Sequence, residues 1–341
     1  MRTKFRREVD RLKWQLANTT DILFGGVLRA AYDRKRPMLV SQMQGDVPVA
    51  REVAILLIYQ PEFLPKSLFH TLNHLREKGI APVVISNAPL TSESRAQLLP
   101  QCHLIVERPN YGYDFGGYRE GILILSERGI NPDALYLLND SMWFPLREDC
   151  ALIDHARASK ADLFGIYQVE WPDKPHRTHL QSYFYRFKRP LLGSAAFDQY
   201  WRRLMMSDDK RRVVLKCEGA LTHAFRKQGF STEALYHEDD IKAAALALTG
   251  DDLTAYLRYA ALVDPAVGAP ETAARTITTG VLRKNLMGSH PLISVRALDI
   301  PVLKKDRAPL WQAQRSEIFR LGLDAGFAPV IREELKARDV S

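Results

Sequence analysis

The apolar run Val53-Ala-Ile-Leu-Leu-Ile-Tyr59 follows a polar stretch from Pro37 through Arg51, and its continuous pattern predicts a strand buried on both faces. Helical spacing over residues 62–78 then ends at Gly79, a C-cap signal. The exchange repeats: Ala81–Ser86 and His103–Val106 read as strands, residues 116–128 as a helix, and Ala134–Leu138 as a fourth strand. Asp162–Val169 and Leu180–Phe187 read as two more strands, with residues 195–206 and 217–228 as two more helices. Such alternation predicts an α/β fold with right-handed crossovers and a mostly parallel sheet covered by helices on both faces. Past residue 240 the strand signal fades. Ile241–Leu262, rich in Ala and Leu, reads as helix, and Thr249–Thr279 holds enough Gly, Asp, Pro and Thr for a mobile loop.

The expected organisation is a basic, helical N-terminal segment (1–50), an α/β domain (51–240) and a mainly helical C-terminal extension packed on the core (241–341). A chain of 341 residues buries a large core, and its 46% apolar and 26% charged residues are ordinary for a globular protein. The longest strongly apolar run, Val53 to Tyr59, is far short of the roughly 20 residues that span a bilayer. Glu8, Asp10 and Asp21 interrupt the N-terminus where a secretory signal would be apolar, so the cytoplasm is the expected location. Cys102, Cys150 and Cys217 lack the spacing of a zinc site or a disulfide scaffold and read as buried thiols.

Charge adds one feature. Residues 1–36 carry ten Lys and Arg against four Asp and Glu, most of the net +8, and Phe5, Val9, Leu12 and Leu16 stand at helical spacing among them. Such a helix suits either a solvated cover on the core or a peripheral contact with an anionic membrane surface. No recognition module accompanies the charge, which argues against nucleic acid.

In a mostly parallel sheet, ligands collect beyond the carboxyl ends of the strands. Ser86-Asn87, the segment Arg108 to Gly117 and Asn139-Asp140-Ser141 all stand at such ends. Within Arg108-Pro-Asn-Tyr-Gly-Tyr-Asp-Phe-Gly-Gly-Tyr118, Gly112, Gly116 and Gly117 permit positive φ or close backbone approach, and the following helix offers N–H groups to an anion such as a diphosphate. Asn110 and Asp114 add polar atoms, and Arg108 has the planar fork that pairs with diphosphate. Asp140, flanked by the neutral oxygens of Asn139 and Ser141, is the expected ligand for Mg2+ or Mn2+ if a divalent cation takes part. His179, Gln181 and Tyr183 alternate along a predicted strand, so all three are expected on one face lining an acceptor or sugar pocket, with His179 a catalytic candidate. His237-Glu-Asp-Asp240 reads as a solvated helix start.

Asn110-Tyr-Gly-Tyr-Asp-Phe-Gly-Gly-Tyr118, Leu138-Asn-Asp-Ser141 with Pro145-Leu146, and His179-Leu-Gln-Ser-Tyr-Phe184 together resemble the rhamnan synthesis protein F family in order and spacing. The resemblance covers residues 50–235, and Pro301-Val-Leu-Lys-Lys305 is faintly similar to a later family element. It implies a GT-A-like, Rossmann-like glycosyltransferase, usually one moving L-rhamnose from dTDP-rhamnose to a lipid-linked or oligosaccharide acceptor in cell-surface polysaccharide assembly. In GT-A folds an Asp-x-Asp element holds the cation and diphosphate; Asn139-Asp140-Ser141 occupies that place with one acid fewer. Cys217-Glu-Gly-Ala-Leu-Thr222 resembles the element that opens a helix with the general base, which makes Glu218 the catalytic candidate. Two other readings stay open: a transferase using another nucleotide sugar, and a non-catalytic carbohydrate-binding or scaffold protein of a polysaccharide assembly complex.

Overall fold

A computed structural model of the protein describes residues 25–263 and 288–340. Helix α1 (25–39) leads into strand β1 (Ser41–Gln44), followed by β2 (Glu52–Ile58), α2 (Lys66–Glu77), β3 (Ile80–Ser86), α3 (Ser92–Leu98), β4 (Leu104–Glu107), α4 (Tyr113–Glu127) and β5 (Ala134–Asn139). The chain continues through β6 (Met142–Trp143), α5 (Leu152–Ala158), β7 (Leu163–Val169), β8 (His179–Leu180), β9 (Phe184–Lys188), α6 (Arg189–Leu192), α7 (Ala195–Arg202), α8 (Lys210–Val213), a π-helical turn (Val214–Glu218), α9 (Gly219–Lys227) and β10 (Thr232–Tyr236). Helices α10 (Glu238–Leu246) and α11 (Gly250–Val263), strand β11 (Leu303–Lys304), α12 (Pro309–Arg320) and α13 (Pro329–Val340) complete the described chain.

The sheet runs β1-β4-β3-β2-β5-β9-β7-β10, with β8 hydrogen-bonded to β7. Strands β4, β3, β2 and β5 are mutually parallel, β9 runs antiparallel between β5 and β7, and β10 is parallel to β7. The expected mostly parallel α/β sheet flanked by helices is therefore present. Side chains alternate across β2: Val53, Ile55 and Leu57 join one apolar core with α4 and α7, while Ala54, Leu56 and Ile58 join the other with α2 and the C-terminal helices. Burial on both faces is why the run reads as unbroken apolar sequence.

Register positions the site. Ile58 lies opposite Ser86, Ser86 opposite Glu107, and Leu57 opposite Asn139, so β2, β3, β4 and β5 end at one level. Tyr59, Asn87, Arg108 and Asp140 consequently emerge together along one edge.

Several elements differ from expectation. The polar Ser41-Gln-Met-Gln44 is an edge strand antiparallel to β4, a place that asks only for backbone hydrogen bonds and no apolar face. A turn at Ser182–Tyr183 splits the expected strand Leu180–Phe187 into β8 and β9. The expected helix Ile241–Leu262 is two helices broken at residues 247–249, and residues 250–263 of the expected mobile loop are helical; the rest of that loop lies outside the described residues. The amphipathic pattern from Phe5 to Leu16 also lies outside them. Helix α3 and strand β10 went unread, and β11 breaks the helical character of the C-terminal extension by pairing antiparallel with β6. The three cysteines are free and buried. His237 to Asp240 does open a helix, with the Asp240 carboxylate accepting the His237 N–H at 2.7 Å.

Candidate active site

Two layers of side chains stand at the common strand edge. The inner layer holds the glycine-and-tyrosine loop in place. Asn87 Oδ1 accepts from Arg108 Nη1 at 2.6 Å, and Asn87 Nδ2 donates to Asn110 Oδ1 at 3.0 Å and to the Tyr113 carbonyl at 3.2 Å. Arg108 also donates to the Tyr111 carbonyl and, at 3.3 Å, to the Tyr32 hydroxyl, with its guanidinium 5.9 Å from the Tyr32 ring. Ser86 donates to the Ala88 carbonyl at 2.6 Å. Ser86, Asn87 and Arg108, expected at the nucleotide, are buried, and these contacts tie their polar groups to the loop.

The glycines divide by role. Gly112 takes φ +82° where the loop turns into α4. Gly116 and Gly117 permit close approach, but to the protein itself: an added Cβ would stand 2.2 Å from the Tyr111 carbonyl oxygen or 2.1 Å from Leu57 Cδ1. The missing side chains let α4 lie on its own loop and on β2.

The outer layer is charged. Asp140 Oδ2 accepts the Tyr59 N–H at 3.1 Å and Gln60 Nε2 at 2.8 Å. Asn139 Oδ1 accepts from the Ser141 N–H at 3.2 Å and hydroxyl at 2.5 Å, and Asn139 Nδ2 lies 3.4 Å from Asp114 Oδ2. In the first turn of α4, Asp114 is pushed up to about 6, chiefly by burial, with Lys304 opposing the shift and the Asp140 and Glu218 carboxylates adding to it. Burial also raises Asp140, against the Gln60 hydrogen bond and the Lys305 charge. Glu218 Oε1 accepts the Ser182 N–H at 2.8 Å, and the Ser182 carbonyl accepts the Tyr118 hydroxyl of α4 at 3.1 Å. The loop helix, the Asn-Asp-Ser triplet and the distant glutamate thus face one another.

Strand β11 brings two residues the sequence reading did not assign. Lys304 Nζ donates to Ser141 Oγ at 3.0 Å, and Lys305 Nζ donates to Ser67 Oγ at 2.9 Å. Burial lowers both lysines, opposed by Asp114 for Lys304 and by Asp140 for Lys305. Gln60, Tyr118 and Ser182 were missed as well. Gln60 had a legible signal, since it directly follows the apolar run Val53–Tyr59.

Gln181 continues the hairpin, its N–H donating to the Tyr167 carbonyl at 3.0 Å, and the turn at Ser182–Tyr183 takes Tyr183 off the alternation expected from His179. His179 pairs with Val169 in the β7–β8 hairpin, and its Nδ1 lies 2.6 Å from the Arg177 carbonyl. Gln181 Oε1 and Tyr183 Oη are buried with no hydrogen-bond partner among the described residues, and Tyr183 lines a narrow cavity with Asn139, Asp140 and Lys305. The unsatisfied Tyr183 hydroxyl, in a cavity it shares with Asp140, suits a hydroxylated ligand.

Asp114 yields a stability prediction. Its folded carboxyl titrates higher than in the unfolded chain, so above pH 4 the unfolded state ionises first and stability is lost until about pH 6. Asp114→Asn removes that penalty, roughly 3 kcal/mol at neutral pH. Thermal melts should show the variant several degrees more stable than wild type at pH 7.5 and nearly equal to it at pH 4; equal melting points at both pH values would refute the burial of this carboxylate.

The model of the rhamnan synthesis protein F family matches residues 82–262. The y4gN protein of Sinorhizobium fredii is 37% identical over 348 residues, covering 98% of this chain and 91% of that protein. Virulence protein VirA of Vibrio anguillarum is 28% identical over 148 residues, 41% of this chain and 45% of the relative. Among solved structures, the Pyrobaculum calidifontis mannosyltransferase PcManGT, in complex with GDP-Man and Mn2+, is 13% identical with a TM-score of 0.35, over 95% of this chain and 90% of its own.

Proposed function

This chain belongs to the rhamnan synthesis protein F family, and from that premise we propose that it is a glycosyltransferase that moves L-rhamnose from dTDP-rhamnose to a growing cell-surface polysaccharide on a lipid-linked or oligosaccharide acceptor. The observation that carries this reading is the convergence of Asp114, Asp140, Glu218 and Lys304 at the carboxyl ends of the parallel strands.

The reaction proceeds by direct displacement with inversion. Glu218 takes the proton of the acceptor hydroxyl as its oxygen bonds to the anomeric carbon, and the bond from that carbon to the diphosphate breaks with its electron pair leaving on the phosphate. With one Glu218 oxygen held by the Ser182 N–H, the carboxylate keeps a fixed direction. The N-terminal turn of α4 and the loop from Asn110 to Gly112 lie beside the nucleotide, and Gln181 and Tyr183 offer their unpartnered oxygens to the sugar or acceptor. Among the described residues no three His, Cys, Asp or Glu side chains gather to hold a metal ion. A divalent cation fits here only together with the substrate, on Asp140 and the diphosphate oxygens, where it would supply neutralising charge. No helix among the described residues is long and apolar enough to cross a membrane; a lipid-linked acceptor would meet the protein at a membrane surface, with the basic residues of 1–36 as the contact.

The test is transfer by the purified full-length chain from dTDP-rhamnose, and from UDP- and GDP-sugars as competitors, to a lipid-linked acceptor, with product identified by mass spectrometry. Asp140→Asn should lower turnover about 10²-fold or more. A wild-type protein that transfers from none of these donors, or an Asp140→Asn protein that keeps the full rate, would overturn the reading.

A further inference from the structure

Lysines 304 and 305 reach the site from a part of the chain more than 160 residues beyond Asp140, through the two-residue pairing of β11 with β6, in which Lys304 stands opposite Met142. Both are half-buried, and the hydrogen-bond partner of each ammonium is a neutral serine hydroxyl: Ser141 at 3.0 Å for Lys304 and Ser67 at 2.9 Å for Lys305. Neither forms an ion pair among the described residues, although Asp114 and Asp140 stand near enough to act on them through space. Holding ammonium groups away from water without a touching anion is costly, and it is offset when an anion arrives. The geometry narrows that anion. Lys304 touches the residue next to Asp140 and feels Asp114 in the first turn of α4, so it faces the place where the helix N-terminus and the strand ends meet. A phosphate group there would meet the helix N–H groups and the ammonium together.

We propose that Lys304, backed by Lys305, receives the diphosphate of the nucleotide sugar and carries the charge that forms on it as the glycosidic bond breaks, in the place where the Asn139-Asp140-Ser141 triplet lacks a second acid. The proposal rests on the glycosyltransferase reading above and adds the group that stabilises its leaving group. The electron pair of the broken carbon–oxygen bond goes to the phosphate oxygen. Lys304 stays protonated and donates a charge-assisted hydrogen bond to that oxygen, while the acceptor's proton goes to Glu218.

The experiment is calorimetric titration of dTDP, and separately of inorganic pyrophosphate, into the full-length wild type, Lys304→Gln and Lys304→Arg, each first checked for wild-type thermal unfolding. Lys304→Gln should weaken dTDP about 10- to 100-fold and lower turnover by at least as much, with Lys304→Arg recovering most of the loss. A second measurement needs no variant: wild-type binding of dTDP should persist in excess EDTA. A Lys304→Gln protein that binds and turns over like wild type, or wild-type binding that collapses more than 100-fold in EDTA, overturns the proposal and leaves the function standing. A wild type that binds no nucleoside diphosphate removes both.

Discussion

Glu218→Gln is expected to lower the turnover number by about 10²- to 10⁴-fold while leaving dTDP affinity within about threefold of wild type. The substitution is nearly isosteric, and the glutamine side-chain oxygen can still accept the Ser182 N–H that Glu218 Oε1 accepts at 2.8 Å. The junction between the π-helical turn and α9 therefore keeps its anchor. What the amide cannot do is take a proton from an acceptor hydroxyl. Loss of rate without loss of nucleotide affinity is the signature of a group that acts in the transition state alone. Steady-state rates with dTDP binding measured in parallel decide it: a variant that folds and transfers at close to the normal rate removes Glu218 from the chemistry, and one that loses nucleotide affinity in proportion assigns it to binding.

Arg108→Met is expected to cost about 3 kcal/mol of stability in the absence of any ligand, and to weaken dTDP binding as a consequence. The buried guanidinium, just past β4, joins the end of β3, the loop and α1 at once, through Asn87, the Tyr111 carbonyl and Tyr32. Without it those acceptors lose their donors, and the stretch in which Gly112 and Tyr113 both hold positive φ loses its tie to the sheet. Urea unfolding of the nucleotide-free protein separates this from a direct ligand role. An Arg108→Met protein as stable as wild type that binds nucleotide poorly would return Arg108 to the diphosphate and contradict its inward orientation.

The parts of the molecule legible in sequence share a physical reason. Val53 to Ile58 must be apolar throughout because both faces of β2 are covered, and Asn139-Asp140-Ser141 stands out because polar residues directly follow such a strand. Ser41-Gln-Met-Gln44 was illegible because an edge strand needs backbone pairing and no run of apolar side chains. Gly116 and Gly117 correctly signalled close approach, but a missing Cβ does not say whether the neighbour is a ligand or Leu57. His179 was grouped with Gln181 and Tyr183 by a two-residue alternation that holds only while the strand continues, and it stops at Ser182. Pro301-Val-Leu-Lys-Lys305 was noticed only as a faint family likeness, and no role for Lys304 or Lys305 was legible because a two-residue strand leaves no periodicity to place them beside β6.

The pairing of β11 with β6 also separates recognition from sufficiency. The family model stops at residue 262, ahead of both lysines and of Glu334, whose carboxylate clasps Trp143 Nε1 at 2.9 Å and the Ser67 N–H at 2.7 Å. A recombinant chain cut at residue 262 would lose both lysines and Glu334 together, leaving an open seam beside Trp143 where the missing residues 263–341 had been stitched in.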